Sequence, residues 1–257
     1  MRYPFLREAA ALATAISAAC AGIGECALGF SGGLDSSLLA HHLRDRCRGY
    51  VCGIPDAHDV RAAGAAADRI GIPLRIMEID EGAVERLLGE IGRVAGTALS
   101  PTEAAILIPC TAVCIHAIED TVVTGQGADE LFGGYAKYLR TGEAGDMMRL
   151  DLQKVLQQGA RRERLVATSC GKHAVHPYLS PEVIRAAHVQ TEAHFWNRGR
   201  KMLLREAARC SGLPEALVEM PKKAAQYGSG AARLISRNAK REGLGVEAYV
   251  RRALNKK

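Results

Sequence analysis

Seven residues near the start of the chain, 31–37, combine two glycines, three hydroxyls and one carboxylate in a single short loop. An apolar run at 26–30 precedes the loop and an apolar-periodic segment follows it, so the pattern predicts a strand, a tight turn and a helix. Glycines let the backbone approach a ligand, a helix N-terminus favours phosphate, and the carboxylate of Asp35 suits Mg²⁺. The loop contains no lysine and therefore does not match the Walker pattern. We predict a pyrophosphate and magnesium site formed by Ser31, Gly32, Gly33, Asp35, Ser36 and Ser37.

A second glycine-rich segment, residues 124–135, reads Thr-Gly-Gln-Gly-Ala-Asp-Glu-Leu-Phe-Gly-Gly-Tyr. Gly125 and Gly127 follow another predicted strand and again permit close approach of the backbone to a ligand. Asp129 opens a predicted helix, where it either caps the helix or faces Asp35 across a cleft. The two roles are compatible. Two carboxylates can hold a metal on a pyrophosphate leaving group, so we predict that Asp35 and Asp129 are the magnesium ligands.

The elements that must position these loops alternate along the first half of the chain. Predicted strands lie at 26–30, 50–54, 74–79 and 121–124, with helices at 57–70, 84–94 and 101–118 between them. This alternation predicts an α/β fold with a doubly wound parallel sheet, in which ligands lie beyond the carboxyl ends of the strands. Beyond residue 140 strand signals fade, and helices are predicted at 147–167, 181–190, 201–210, 231–240 and 246–254. We therefore predict two regions: residues 1–140, which hold the sheet, and a helical region, 141–257, which completes the site.

Composition narrows the class of protein. No apolar run reaches the ~18 residues of a membrane span, and the eight cysteines include no C-x-x-C pair. We therefore expect a cytoplasmic protein, with no membrane partner, whose cysteines are small buried hydrophobes rather than metal ligands. The net charge is +6, yet residues 198–257 alone carry fifteen Lys and Arg against five Asp and Glu. A basic end of this kind suits a polyanion, either ATP or RNA.

The string Ser-Gly-Gly-Leu-Asp-Ser-Ser resembles the PP-loop signature of the ATP pyrophosphatases, whose fold is adenine nucleotide α-hydrolase-like. The two glycine loops, in this order and spacing, resemble the synthetase domain of asparagine synthetase and its β-lactam synthetase relatives. The resemblance extends from about residue 25 to residue 230. Residues 53–59 resemble the adenosine-side loop of that family, which places Gly53 and Asp59 beside the nucleotide. Residues 201–205 resemble its Lys-x-Leu-Leu-Arg helix, and residues 221–224 resemble a later basic loop.

This resemblance implies an activity. In the family a substrate carboxylate attacks the α-phosphate of ATP, which gives an acyl-adenylate and pyrophosphate, and ammonia then displaces AMP to form an amide. ATP and Mg²⁺ are the implied cofactors, and a small carboxylate, of which aspartate is one, is the implied partner. The resemblance assigns the cation that stabilises the reacting phosphate to Lys201, assisted by Lys222.

Three departures from the family pattern bear on this activity. The usual Gly-Glu-Gly is here Gly125-Gln126-Gly127, and an amide at Gln126 can orient the nucleophile but cannot accept its proton. The usual Glu-x-Arg-x-Pro-Phe-Leu-Asp is replaced at 173–180 by His-Ala-Val-His-Pro-Tyr-Leu-Ser, which leaves the acceptor acid open. No glutaminase domain with an N-terminal cysteine fits before residue 25, so we expect free ammonia or a separate glutaminase.

Two other classes of protein stay open at this point. One is a tRNA-modifying ATP pyrophosphatase, although the absent cysteine pair and the few aromatic residues speak against bound nucleic acid. The other is a nucleotide-binding regulatory protein without catalysis, although Asp35, Asp129 and Lys201 are all retained. The sequence leaves open whether the protein is a homo-oligomer.

Overall fold

A computed structural model describes residues 6–139, 143–187, 199–220 and 228–256. Within these residues five strands form one sheet in the order β3-β2-β1-β4-β5, and every neighbouring pair is parallel. The strands are β1 (Cys26–Gly29), β2 (Cys47–Gly53), β3 (Leu74–Glu78), β4 (Thr121–Val123) and β5 (His173–Val175). The predicted α/β class and doubly wound parallel sheet are confirmed.

Helices cover both faces of the sheet. They are α1 (Leu6–Ala21), α2 (Leu34–Leu43), α3 (His58–Ile70), α4 (Glu81–Ala95), α5 (Pro101–His116), α6 (Ala128–Phe132), α7 (Ala144–Lys154), α8 (Ala160–Ser169), α9 (Pro181–Ala187), α10 (Met202–Cys210), α11 (Glu215–Val218), α12 (Ala231–Arg241) and α13 (Val246–Leu254). One π-helical turn, Val155–Gly159, joins α7 to α8, so the long helix predicted at 147–167 contains a bulge. The last residues of the helix predicted at 181–190 lie outside the described residues.

The fifth strand is a correction to the sequence analysis, which predicted only helices beyond residue 140. His173–Val175 pairs in parallel with β4, in the register Thr121↔His173. The strand has three residues and begins with an exposed histidine, so it offers almost no periodic signal. The sheet therefore extends across the predicted boundary at residue 140, and a division of the chain there stays a prediction.

Alternating strand residues supply two separate cores. On β1, Cys26 and Leu28 face a core shared with α1, α2 and α10, whereas Ala27 faces a core shared with α4, α5 and α13. On β4, Val123 faces the first of these cores and Val122 faces the second. Side chains that alternate along each strand therefore contribute to cores on both faces of the sheet, and helices cover both faces. The carboxyl ends of the strands remain the place where a ligand can bind.

Local sequence fixes the helices that border this edge. Helix α5 begins with a capping box, in which the Ser100 hydroxyl accepts from the Glu103 N–H and the Glu103 carboxylate accepts from the Ser100 N–H, and Pro101 occupies its first turn. Helix α3 ends at Gly71, whose φ of +82° is readily adopted only by glycine. The start of α5 and the end of α3 are therefore set by their own residues.

Six of the eight cysteines are buried, Cys170 is half-buried and Cys210 is exposed. All eight are free thiols. Burial raises the pKa of Cys52 to about 12, so this thiol stays protonated and behaves as a small hydrophobe. In the described part of the chain, no helix combines the length and the apolar character needed to cross a bilayer.

The C-terminal helix packs tightly on α4 at a glycine, which gives a test of this fold. A Cβ on Gly92 would lie 1.8 Å from the carbonyl oxygen of Leu254, whereas a Cβ on Gly89 would meet its first neighbour at 3.6 Å. We expect Gly92→Ala to lower the free energy of unfolding by about 1–3 kcal/mol through overpacking. On the same helix Gly89→Ala should raise it by about 0.5–1 kcal/mol, because alanine favours helix. Urea unfolding measures both, and equal stability of the two variants would contradict the packing described.

Candidate active site

A cavity of about 500 Å³ opens at the carboxyl edge of the sheet, between the ends of β1, β2 and β4 and the helices α5 and α8. A smaller pocket of about 50 Å³ adjoins it, between the loop after β1, the start of α3 and α10. Ser31, Asp35 and Asp59 line both. The two glycine loops predicted to meet at this edge therefore do meet there.

A buried lysine joins the two loops. The Lys201 side chain is 2% exposed, and its Nζ lies 2.6 and 2.5 Å from the two carboxylate oxygens of Asp35 and 2.6 Å from Oδ1 of Asp129. An ammonium removed from water is tolerated only when such partners compensate its charge. The loop after β1, the loop after β4 and the start of α10 are therefore tied together at one cation.

The backbone conformation at Lys201 is also unusual. Lys201 has a φ of +61°, a left-handed conformation that is uncommon for a residue with a side chain, and it caps α10 instead of beginning it. Gly134 packs against the ion cluster, since a Cβ there would lie 1.9 Å from Oδ1 of Asp129 and 2.6 Å from Cε of Lys201. A side chain at position 134 would therefore occupy the space that the end of the Lys201 side chain now fills.

The loop after β1 is held against α3. Gly32 has a φ of +71°, and a Cβ on it would lie 2.4 Å from the backbone of Ala62, so only glycine fits this contact. The Ser36 hydroxyl donates to the carbonyl of Gly33 at 3.2 Å, which turns it toward the loop. Ser37 is fully buried in α2, and its hydroxyl has no hydrogen-bond partner among the described residues.

The turn that follows β5 contacts both loops. The Tyr178 hydroxyl donates to the carbonyl of Asp35 at 2.9 Å. The next residue, Leu179, packs on Gly127, whose φ is +92° and where an added Cβ would lie 2.2 Å from the leucine side chain. The Pro-aromatic-Leu sequence retained at 177–179 therefore positions the loops rather than lining the cavity.

The predicted site residues divide by position. Those that line the larger cavity are Ser31, Asp35, Ser36, Asp59, Gly125, Gln126, Gly127 and Asp129. Gly33 and Lys201 line the smaller pocket. Gly32, Ser37 and Gly53 line neither the cavity nor the smaller pocket. Gly53 nevertheless lies beside Ser229, which lines the cavity, because a Cβ added to Gly53 would lie 3.0 Å from the Ser229 carbonyl oxygen. Lys222 lies outside the described residues.

A buried polar cluster beside the Gly-Gln-Gly loop was missed by the sequence analysis. The Thr124 hydroxyl lies 2.8 Å from Oε2 of Glu163, to which it donates, and 3.0 Å from Nδ1 of His176. Burial raises the pKa of Glu163 to about 7 and lowers the pKa of His176 to about 4. Near neutral pH the imidazole is therefore uncharged, while the carboxyl is poised between its two forms. Glu163 sits in an arginine-rich run that reads as a solvated helix, so no local signal marks it.

Two further hydrogen-bonded pairs line the cavity. Arg162 donates to Oε1 of Glu103 at 2.5 Å, and the Tyr135 hydroxyl donates to Oε1 of Glu130 at 2.7 Å. Burial raises the pKa of Glu130 despite the hydrogen bond from Tyr135. Tyr135 is the last residue of the second glycine-rich segment, and only this position in the sequence indicated that it could belong to the site. In contrast, His173 lies exposed at the amino end of β5, away from the carboxyl edge of the sheet.

The sequence of this chain is similar to those of proteins named as asparagine synthetases. A Methanocaldococcus jannaschii protein named as an asparagine synthetase of the glutamine-hydrolysing kind is 28% identical, over 83% of this chain and 47% of its own length. A chicken protein named asparagine synthetase domain-containing protein 1 is 29% identical over 46% of this chain and 20% of its own length.

The chain thus spans less than half the length of these curated relatives. A solved structure from M. jannaschii, titled as a predicted subunit of tRNA methyltransferase, aligns with a TM-score of 0.35 at 13% identity, over 79% of this chain and 95% of that one. The family model for asparagine synthase matches residues 8–145, more than half of the chain and both glycine loops. This chain belongs to the asparagine synthase family.

Proposed function

We propose that this protein is an ATP-dependent amide-forming ligase that adenylates a small carboxylate, releases pyrophosphate and then transfers the acyl group to ammonia. The observation that carries the proposal is the ion cluster of Lys201 with Asp35 and Asp129, set where the two glycine loops meet beside the cavity. Charge develops on the α-phosphate and on the leaving pyrophosphate, and a preorganised cation stabilises it most effectively in a water-poor site.

The carboxylates fit a magnesium ion that arrives with the nucleotide. Among the described residues no group of three or more His, Cys, Asp and Glu side chains is arranged as a metal site. Asp35 and Asp129 nevertheless converge on one point, and Mg²⁺ is commonly held by one or two carboxylates together with substrate phosphates. When bound there, the metal neutralises charge on the pyrophosphate. In this proposal Asp35 and Asp129 orient it, and Lys201 remains the fixed cation of the protein.

The larger cavity offers two different environments for the two substrates. At the ends of β1 and β2 it is lined by Phe30, Val51 and Cys52, with Asp59 at its margin, which suits an adenosine. Toward α8 it carries Lys154 and Arg162, cations that suit a carboxylate-bearing acceptor. Aspartate is one such acceptor. Ammonia, free or from a separate glutaminase, is the amine in this proposal, and the assisting role of Lys222 rests on the family resemblance.

The direct test is exchange of labelled pyrophosphate into ATP, screened over amino acids and small carboxylates with magnesium present. An acceptor that is adenylated supports exchange without any amine, and amide then forms when ammonium is added. Exchange that depends on one acceptor would support the proposal. A protein that binds ATP yet exchanges pyrophosphate with none of these acids would refute adenylation of a small carboxylate.

We expect Asp35→Asn to lower the exchange rate by about 100-fold or more, because it removes a charge from the cluster that faces the pyrophosphate. Lys201 keeps Asp129 as a partner in this variant, so circular dichroism should show a folded protein. The matched control is Asp146→Asn, which changes an exposed aspartate paired with Arg149 and should leave exchange unchanged. Exchange at the wild-type rate in Asp35→Asn would remove Asp35 from the site.

Gln126→Glu should change the amination rate by about tenfold or more and the exchange rate by less than about twofold, because position 126 lies in the loop that the family uses to handle the nucleophile. Its side chain lies close to the π-helical turn between α7 and α8, since a Cβ on Gly159 would lie 2.7 Å from Nε2 of Gln126. The control is Gln157→Glu, the same change at an exposed position of the adjoining turn. Equal effects on the two steps would contradict the assignment.

A further inference from the structure

We propose that Glu163 accepts the proton that the attacking amine loses when the amide forms. The inference rests on the proposed function and adds a residue that the family resemblance does not assign. The reaction needs such a group, because the amine nitrogen is positively charged once its lone pair has bonded to the acyl carbon. The acyl–oxygen bond breaks with its electron pair leaving on AMP, and the nitrogen must release one proton to a nearby base.

Gln126 cannot be that base, because an amide does not accept a proton near neutral pH. Two hydrogen bonds, through the Thr124 hydroxyl, connect Glu163 to the backbone of Gln126. The backbone N–H of Gln126 donates weakly to the Thr124 hydroxyl at 3.4 Å, and that hydroxyl donates to Oε2 of Glu163 at 2.8 Å. Glu163 also lines the larger cavity together with Gln126. One hydroxyl therefore separates the carboxyl from the loop that faces the nucleophile.

The surroundings of Glu163 allow it to take and hold a proton. Its side chain is 6% exposed, and Nδ1 of His176 lies 3.5 Å from Oε2. The charged and titratable groups that face it are His176 after β5, Glu130 on α6, Cys110 on α5 and Arg164 on α8 itself. Burial outweighs the nearby arginine and raises the pKa of the carboxyl to about 7, which is well matched to a base at neutral pH.

Other carboxylates of the cavity are committed elsewhere. Asp35 and Asp129 pair with Lys201, Glu103 pairs with Arg162, Asp59 lies 3.3 Å from Nδ1 of His58, and Glu130 accepts from the Tyr135 hydroxyl. Glu163, like Glu130, is held by a neutral hydroxyl, but its partner Thr124 also accepts from the Gln126 N–H, and this hydroxyl can donate to the carboxylate and accept from the carboxylic acid. The Thr124 hydroxyl can therefore form a hydrogen bond with Glu163 in both of its protonation states. The Glu163 side chain need not move when it accepts the proton.

The test separates the two chemical steps in Glu163→Gln, which keeps the shape of the side chain. We expect amide formation with hydroxylamine, an amine largely uncharged at neutral pH, to fall by about 100-fold while pyrophosphate exchange stays within about twofold. The wild-type amination rate should rise with pH and level off near pH 7, and this break should be absent from the variant. Glu182→Gln, at an exposed glutamate paired with Arg185, is the matched control.

The double variant Gln126→Glu with Glu163→Gln places the carboxylate on the other side of Thr124. Its amination rate should be at least tenfold higher than that of the single variant Glu163→Gln. Unchanged amination in Glu163→Gln, an equal loss of exchange and amination, or an identical pH break would overturn the role. Absence of pyrophosphate exchange in the wild-type protein would instead overturn the proposed function, so the two failures differ.

A stability measurement tests Glu163 without any substrate. A carboxyl whose pKa is raised on folding stabilises the folded state below about pH 4.5, and this contribution is lost as the pH rises through about 7. The urea midpoint of the wild type should therefore fall relative to that of Glu163→Gln between pH 5 and pH 8. Parallel midpoints over this range would show that Glu163 does not hold its proton there and would overturn the inference.

Discussion

A lysine removed from water between two carboxylates is the interaction on which the arrangement of this site depends. Lys201, Asp35 and Asp129 come from three distant parts of the chain, and the ammonium contacts both acids. Removing one partner of such a buried cluster typically costs about 3–5 kcal/mol, so the cluster resists separation of the loops.

The turn after β5 sets the distance between the same two loops from the other side. Tyr178 bonds to the backbone at Asp35, and Leu179 fills the space against Gly127. Both side chains are buried, so their positions follow from packing rather than from ligand contact. Because β5 leads directly into this turn, the hydrogen bonds that add β5 to the sheet also fix the geometry of the loops.

Local patterns explain why much of this could be predicted. The first four strands and their helices carry strong periodicity, and the glycine loops combine residue types that have no packing reason to occur together. By contrast, β5 begins with an exposed histidine and none of its three residues is fully buried, and the bulge at Val155–Gly159 does not interrupt the helical pattern of the sequence. Glu163 could not be predicted, because its burial comes from β4, β5 and α8 meeting around a residue whose neighbours in sequence are arginines. Lys201 was assigned from resemblance, yet its left-handed backbone follows only from the fold.

The late arrival of β5 along the chain has a consequence for any attempt to shorten the protein. A fragment that stopped at residue 140 would leave the β4 backbone with a row of unsatisfied N–H and C=O groups along one side. Such an open edge recruits strands from other molecules and promotes aggregation. A shortened chain that keeps the two glycine loops would therefore have to keep residues 173–175, or replace them with a covering segment that bears charges.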